Sequence, residues 1–322
     1  MPKVSVIIPN YNHATFLAQR IDSVLNQTFT DFELIILDDA SKDNSIEIIS
    51  RYENDDRISH VVYSNENSGS PFVQWKKGVD LSIGEFIWIA ESDDWAEEHF
   101  LEELLSILED NKEIGIVYSD SYVHMENGTI SKFSEINNKF AKTTKWNDDY
   151  ITFDEEMNWL AFFCTINNVS SVLFRREALQ SVEIPLNFRF MGDWFVYMQI
   201  VSMGWGISYT SKILNNYRSH SNNTTKQSEK SLQYVYERFY FVDYLLKKYK
   251  HHIEPQKLKQ NLFNFTIDRI HSLSDIYVIY KRCVQLNISL TLSIVLKYTK
   301  IILKKVIKSR LKRNDKCHNN ML

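Results

Sequence analysis

Cysteine is scarce in this chain, and the three present, Cys164, Cys283 and Cys317, lie far apart with no CxxC pair and no zinc-like spacing. That argues against a disulfide scaffold or a structural zinc site and leads us to expect reduced thiols in a cytosolic compartment. Long apolar runs are also missing, because lysines break the longest of them well short of the roughly 18 residues a membrane span needs. The opening stretch, MPKVSVIIPNYN, lacks the basic-then-apolar pattern of a leader and enters strand-like sequence at once. A protein that starts and stays on the cytoplasmic side is the expectation. Neither GxxxxGK[ST] nor a GxGxxG after the first apolar run occurs, and no GxSxG elbow is present. These absences argue against a P-loop NTPase, a dinucleotide-binding dehydrogenase and a serine hydrolase.

What is present is an ordinary globular composition, 44% hydrophobic and 24% charged over 322 residues, with room for two domains or for one domain and an extension. The net charge of -4 hides an asymmetry. Residues 297 to 316 carry nine Lys or Arg against the single acid Asp315, a local charge of +8 that leaves -12 for the remainder. An acidic body with a basic tail argues against a nucleic-acid binder, and an acidic partner is expected for the tail alone.

The first hundred residues alternate between short β-branched runs (VSVIIP, FELIILDD, ISHVVYS, EFIWIA) and segments with helical apolar spacing (FLAQRIDSVLNQ, SIEIISRYEN, FVQWKKGVDLS). Such alternation predicts parallel strands joined by right-handed crossovers in an open α/β sheet flanked by helices, with ligands bound beyond the carboxyl ends of the strands. Polar and acidic groups stand at those ends: Asn10-Tyr11-Asn12, Asp38-Asp39, and the run Glu91-Ser92-Asp93-Asp94. Asp38-Asp39 could be no more than a turn, and Glu91 or Asp93 could cap a helix starting near Trp95, but capping accounts for one acid rather than three. Three carboxylates within four residues repel one another unless a positive group is near. A hard divalent cation, Mg²⁺ or Mn²⁺, bridging carboxylates to a diphosphate supplies that charge.

Further along, NGTISKFSEINNKFAKTTKWNDD has few apolar anchors and reads as a mobile loop. NVSSVLFRREAL predicts strand then helix, MGDWFVYMQIVSMG a helix, ISYTSKILNNYRSH a strand, and the chain beyond about 226 is helical. Three segments are expected: 1–100, 101–225 and a helical extension, 226–322. Within the extension, Ile294, Val295, Tyr298, Ile301, Ile302 and Val306 share one helical face and Lys297, Lys300, Lys304 and Lys308 another. The pattern, across residues 288–316, fits either a helix lying on an anionic membrane surface or one packed on the body.

Taken in order, VSVIIPNYNHATFLAQRIDSVLNQTFTDFELIILDDASKDNS, GEFIWIAESDDW and MGDWFVYMQ resemble family 2 glycosyltransferases. The match spans roughly residues 3 to 225 and is most specific in the first hundred. The resemblance implies a GT-A type fold with a mainly parallel nucleotide-binding sheet, and an inverting, metal-dependent (Mg²⁺ or Mn²⁺) hexosyltransferase-like enzyme. A nucleoside diphosphate sugar, UDP-sugar favoured, would be the donor and a saccharide or lipid-linked molecule of surface polysaccharide assembly the acceptor. By position, Pro9 and Tyr11 match the wall around the nucleobase and Asp39 the acid that bonds it. Asp93 falls where the family contacts ribose or metal, Asp94 where it binds metal, and Glu91 where many members have Asp. Asp193 matches the general base, which removes the acceptor hydroxyl's proton as that oxygen attacks the anomeric carbon. It could equally be the N-cap of the helix that follows. Arg218 and His220 match a YR-H segment near the diphosphate or metal. The other histidines read as surface, and Trp95, Trp194 and Trp205 as sugar platforms or, more simply, packing. A nucleotidyltransferase, or a non-catalytic nucleotide-sugar-binding protein on the same fold, stays open.

Overall fold

The computed structural model describes residues 1–220, 223, 231–249, 253–267 and 303. The proposed amphipathic tail (Leu303 aside), His251-His252, Cys283, Cys317 and most of the loop after His220 lie outside the described residues.

The first half runs β1 (Val4–Asn10), α1 (Ala14–Leu25), β2 (Phe32–Asp38), α2 (Ser45–Ser50), β3 (Ile58–Tyr63), α3 (Pro71–Leu81) and β4 (Phe86–Ile89). There follow β5 (Trp95–Ala96), α4 (Phe100–Asp110), β6 (Ile114–Met125), β7 (Ile130–Lys132), α5 (Phe133–Ala141), β8 (Tyr150–Thr152) and α6 (Asp154–Leu160). The remainder is β9 (Val172–Arg175), α7 (Arg176–Gln180), α8 (Gly192–Ser202), β10 (Gly206–Ser219), α9 (Leu232–Lys248) and α10 (Pro255–Ile267). One sheet holds every strand among the described residues, in the order β3-β2-β1-β4-β9-β6-β10-β5, with β7 added to β6 and β8 to β10. The strands β1 to β4 are parallel, and β9 runs against both β4 and β6.

Alternation along the strands fills two cores. Val4, Val6 and Ile8 of β1, with Leu34 and Ile36 of β2, pack under α1 and α4, while Ile7, Ile35 and Leu37 pack on the opposite face. Each fully buried aliphatic side chain contributes about 2 kcal/mol, which outweighs the modest strand propensities of so short a segment. On the second face α3 lies close on β1: a Cβ at Gly78 would sit 2.4 Å from Ile7 Cγ2, so only glycine lets the two backbones approach. The same core receives α8 and, from beyond residue 230, Val235, Phe239 and Val242 of α9 with Leu258 and Leu262 of α10.

The stretch expected to be a mobile loop is instead folded as β7, α5, a 3₁₀ turn at Lys145–Asn147 and β8. Polar anchors hold it, which apolar periodicity cannot register. Ser134 donates to Asp120 at 2.6 Å, Asn137 Nδ2 donates to the Thr165 carbonyl at 2.9 Å, and buried Trp146 donates to the Tyr118 hydroxyl at 2.9 Å. A second correction concerns Trp95, which opens β5 against β10 rather than a helix; the next helix begins at Phe100 with His99 ahead of it. Neither Glu91 nor Asp93 is therefore a helix cap. None of the described helices is long and apolar enough to cross a membrane.

Candidate active site

Parallel register sets the carboxyl ends of β1, β2 and β4 on one edge. Asn10 pairs with Asp38 across that edge and donates its amide to the carboxylate at 2.8 Å. Asp38 also accepts the Ser41 N–H at 2.9 Å, a turn bond that takes up the bland role foreseen for it. Pro9 is buried in β1 and Tyr11, just past its end, is exposed. Asp39 points into the site's wall, where its carboxylate accepts the Ser68 N–H and hydroxyl (2.8 Å) and the Gln74 amide (2.6 Å).

The acidic turn after β4 divides its charges. Asp93 Oδ2 lies 3.0 Å from His220 Nε2, and one ligand atom each from His13, Asp93 and His220 fall within 4.8 Å of one another. Burial alone raises Asp93, but the His220 hydrogen bond and the neighbouring imidazoles overcome it and hold its carboxyl below the usual range. His13 is pushed down, chiefly by burial, so its ring favours the neutral form that a metal requires. Two imidazoles and a carboxylate converging in this way fit a divalent transition-metal cation. Asp94 is different. Its two oxygens accept from the Asn168 amide at 2.8 Å and the Arg218 N–H at 2.9 Å, and burial with the repulsion of Asp93 lifts it to about 6. Glu91 accepts from Trp75 Nε1 at 2.9 Å and is raised to about 8, again by burial first and Asp93 second.

Part of the positive charge that the acids demand comes from beneath. Arg20, fully buried on α1, donates Nε to the Glu91 carbonyl at 2.8 Å and stacks over Trp88. Arg218 is sandwiched between Phe16 and Trp95 at 4.4 and 4.5 Å from the ring centroids and donates to the Asp93 carbonyl at 2.6 Å. It braces the acidic turn. Trp95 is thus a packing residue for Arg218, and Trp194 is 7% exposed with its ring N–H on the Leu160 carbonyl, so it is core rather than a sugar platform.

Asp193, Asp93, Asp94, Glu91, Arg189 and Tyr217 border one cleft of about 130 Å³. Asp193 lies inside the first turn of α8, whose cap position is Met191, so the N-cap reading does not hold. Burial raises its carboxyl to about 6, against the pull of its helical N–H bonds. Gly192 beside it has a packing reason, since a Cβ there would meet the Phe72 ring at 2.5 Å.

His13, Arg20 and Asn168 were not singled out by sequence reasoning. A signal existed for Arg20, as the one charge among Leu17, Ile21 and Val24 on the buried stripe of α1. His13 had none, and reading it as surface is corrected by its place in the cluster.

This sheet and site define a class, the GT-A type nucleotide-sugar fold. Residues 1–349 of TarS from S. aureus, solved with UDP-GlcNAc, superpose with a TM-score of 0.62 at 18% identity, covering 83% of this chain and 72% of that one. A mannosyltransferase from Pyrobaculum calidifontis, solved with GDP-Man and Mn²⁺, gives 0.56 at 15% identity, covering 93% and 84%. The sequence model "Glycosyl transferase family 2" matches residues 5–182, more than half of the chain. The chain belongs to that family. A putative teichuronic acid biosynthesis glycosyltransferase of Bacillus subtilis, TuaG, is 27% identical over 250 residues, 75% of this chain and 91% of its own. Over 115 residues, 34% of each chain, the poly(ribitol-phosphate) β-N-acetylglucosaminyltransferase TarP of Staphylococcus aureus is 39% identical. The chain spans 66% of the length of a further relative, an uncharacterised Nostoc glycosyltransferase 28% identical to it.

Proposed function

We propose that this family member is an inverting glycosyltransferase that moves a sugar from a nucleoside diphosphate sugar, with a UDP-sugar favoured, to a saccharide or lipid-linked acceptor in surface polysaccharide assembly. One observation carries the reading: Asp93, which belongs to a cluster of cation-ligand type, and the half-buried carboxylate Asp193 line the same cleft. Asp93, His220 and His13 would hold the divalent cation, in preference to Asp94, whose oxygens are engaged by Asn168 and Arg218. Bound there, the cation would neutralise the departing diphosphate as a Lewis acid. Residues 1–100 then form the donor side, with Asp39, Tyr11 and Pro9 around the nucleobase, and residues 101–225 the acceptor side.

Asp193 would take the acceptor hydroxyl's proton as its oxygen attacks opposite the leaving diphosphate. A carboxyl lifted to about 6 is a stronger proton acceptor than an exposed aspartate and is still ionised at neutral pH. The names of TuaG and TarP, and the UDP-GlcNAc held by TarS, support the donor and acceptor classes. The test is calorimetry of UDP, GDP and UDP-GlcNAc against the full chain with and without Mn²⁺, followed by release of free sugar. Mn²⁺-dependent UDP binding with slow release of free GlcNAc is the expected result. Binding without any release would leave a sugar-nucleotide sensor, and no binding of either nucleotide would end the proposal.

A further inference from the structure

The segment Phe188–Met191 carries Arg189 to the border of the cleft and leads into Asp193, with Phe188 and Met191 packed in the core. Its backbone is held from elsewhere. Glu237, on α9 and 1% exposed, accepts three successive N–H groups: Arg189 at 2.7 Å, Phe190 at 2.9 Å and Met191 at 2.8 Å. The Gln233 amide adds a fourth bond at 3.0 Å. From the opposite side the Ser70 hydroxyl, at the start of α3, donates to the Phe188 carbonyl at 2.5 Å.

Burying a carboxylate is costly unless its lone pairs are filled, and here backbone amides fill them. Burial still raises Glu237 above the ordinary carboxylate range. An apolar side chain at this position would pack more cheaply but would leave three consecutive N–H groups of a loop without acceptors. What the carboxylate provides is one backbone conformation for the turn before α8. Its neighbour Arg238 anchors the same helix by donating to the Ala161 carbonyl at 3.0 Å and stacking 4.4 Å from the Trp194 ring, immediately after Asp193.

We propose that Glu237 is a positioning residue for sugar transfer: by clamping the amides of 189–191 it sets the placement of Arg189 and Asp193, and so makes α9 part of the catalytic apparatus rather than an appendage. The role rests on the function proposed above, but the clamp can be tested without it. Glu237→Gln keeps the size yet presents an NH₂ where N–H donors point, and Glu237→Asp keeps the charge on a shorter arm. Hydrogen–deuterium exchange of the full chain without ligand reads the 189–191 amides directly. UDP affinity with Mn²⁺ and UDP-GlcNAc hydrolysis are measured beside it.

Glu237→Gln should speed exchange at these amides at least ~10-fold and slow hydrolysis by ~10- to 100-fold, while the UDP Kd stays within about twofold. Glu237→Asp should recover part of both. Unchanged exchange in Glu237→Gln would overturn the clamp, and faster exchange with undiminished hydrolysis would overturn its catalytic role. Should the unaltered chain bind no UDP, the functional reading falls and takes the positioning role with it, and exchange then decides the clamp on its own. If Glu237→Gln does not fold, exchange and hydrolysis in Glu237→Asp and in Gln233→Ala, which removes one exposed donor to the carboxylate, decide the same question. Both should fall between unaltered protein and loss, and equality with the unaltered protein in both overturns the proposal.

Discussion

The two sides of the cleft hold their carboxylates by opposite means. On the proposed donor side Asp93 faces imidazoles, which overcome the effect of burial and keep it below the usual range. On the proposed acceptor side Asp193 is met by backbone N–H groups, and burial, helped by the Glu237 charge, prevails and lifts it to about 6. The difference teaches that neighbours rather than residue type assign the chemistry. A carboxylate kept ionised beside imidazole nitrogens suits a cation, whereas one raised towards neutrality suits a proton.

The largest effect should come from removing the ionised side. Asp93→Asn is expected to weaken Mn²⁺-dependent UDP binding by at least ~100-fold, about 3 kcal/mol, by calorimetry. An unchanged affinity would erase the contrast, because the cation would then depend on other groups.

Asp193→Asn should leave UDP binding alone and slow transfer or hydrolysis by ~100-fold, the lower range of a positioned base. It should also stabilise the protein, and the sign follows from the raised carboxyl. An unfolded aspartate titrates near ~3.9, so a folded value of about 6 means that stability is full at low pH and falls as pH rises through that interval. The variant therefore gains up to ~3 kcal/mol at about pH 8, with the gain shrinking towards about pH 5. Melting curves across that range check it, and a destabilised variant at high pH would place Asp193 on the same footing as Asp93. In the unaltered enzyme, turnover should rise with pH through about 6 as the base ionises.

His13→Ala sharpens the donor side further. Loss of one imidazole from the cluster should weaken Mn²⁺ affinity by roughly 10-fold without altering the fold, since the ring is only half-buried. Equal Mn²⁺ affinity would return His13 to the surface role its sequence suggested. The smallest effect is expected where the two sides touch: Ser70→Ala removes the hydroxyl on the Phe188 carbonyl and should cost about 1 kcal/mol in denaturant unfolding.

The site was partly legible before folding. Strand ends at Asn10, Asp39 and Asp93 could be found because a short, β-branched apolar run followed by polar residues is a local pattern. Residues 127–149 were misread because Ser134, Asn137 and Trp146 anchor through hydrogen bonds to Asp120, Thr165 and Tyr118, partners that no periodicity reveals.

By itself the sequence determined the parallel opening of the sheet, the acids at its edge and the family resemblance, all of which are written in short segments whose physics is near-neighbour. Only the tertiary structure decided that Asp93 meets an imidazole and that Glu237 meets the amides of 189–191, because those partners arrive from far along the chain. Asp93 finds His220 from 127 residues away, and Arg189 finds Glu237 from 48. A carboxylate's charge state is set by burial and by whatever lies within a few ångströms, and in this protein folding alone brings those groups together.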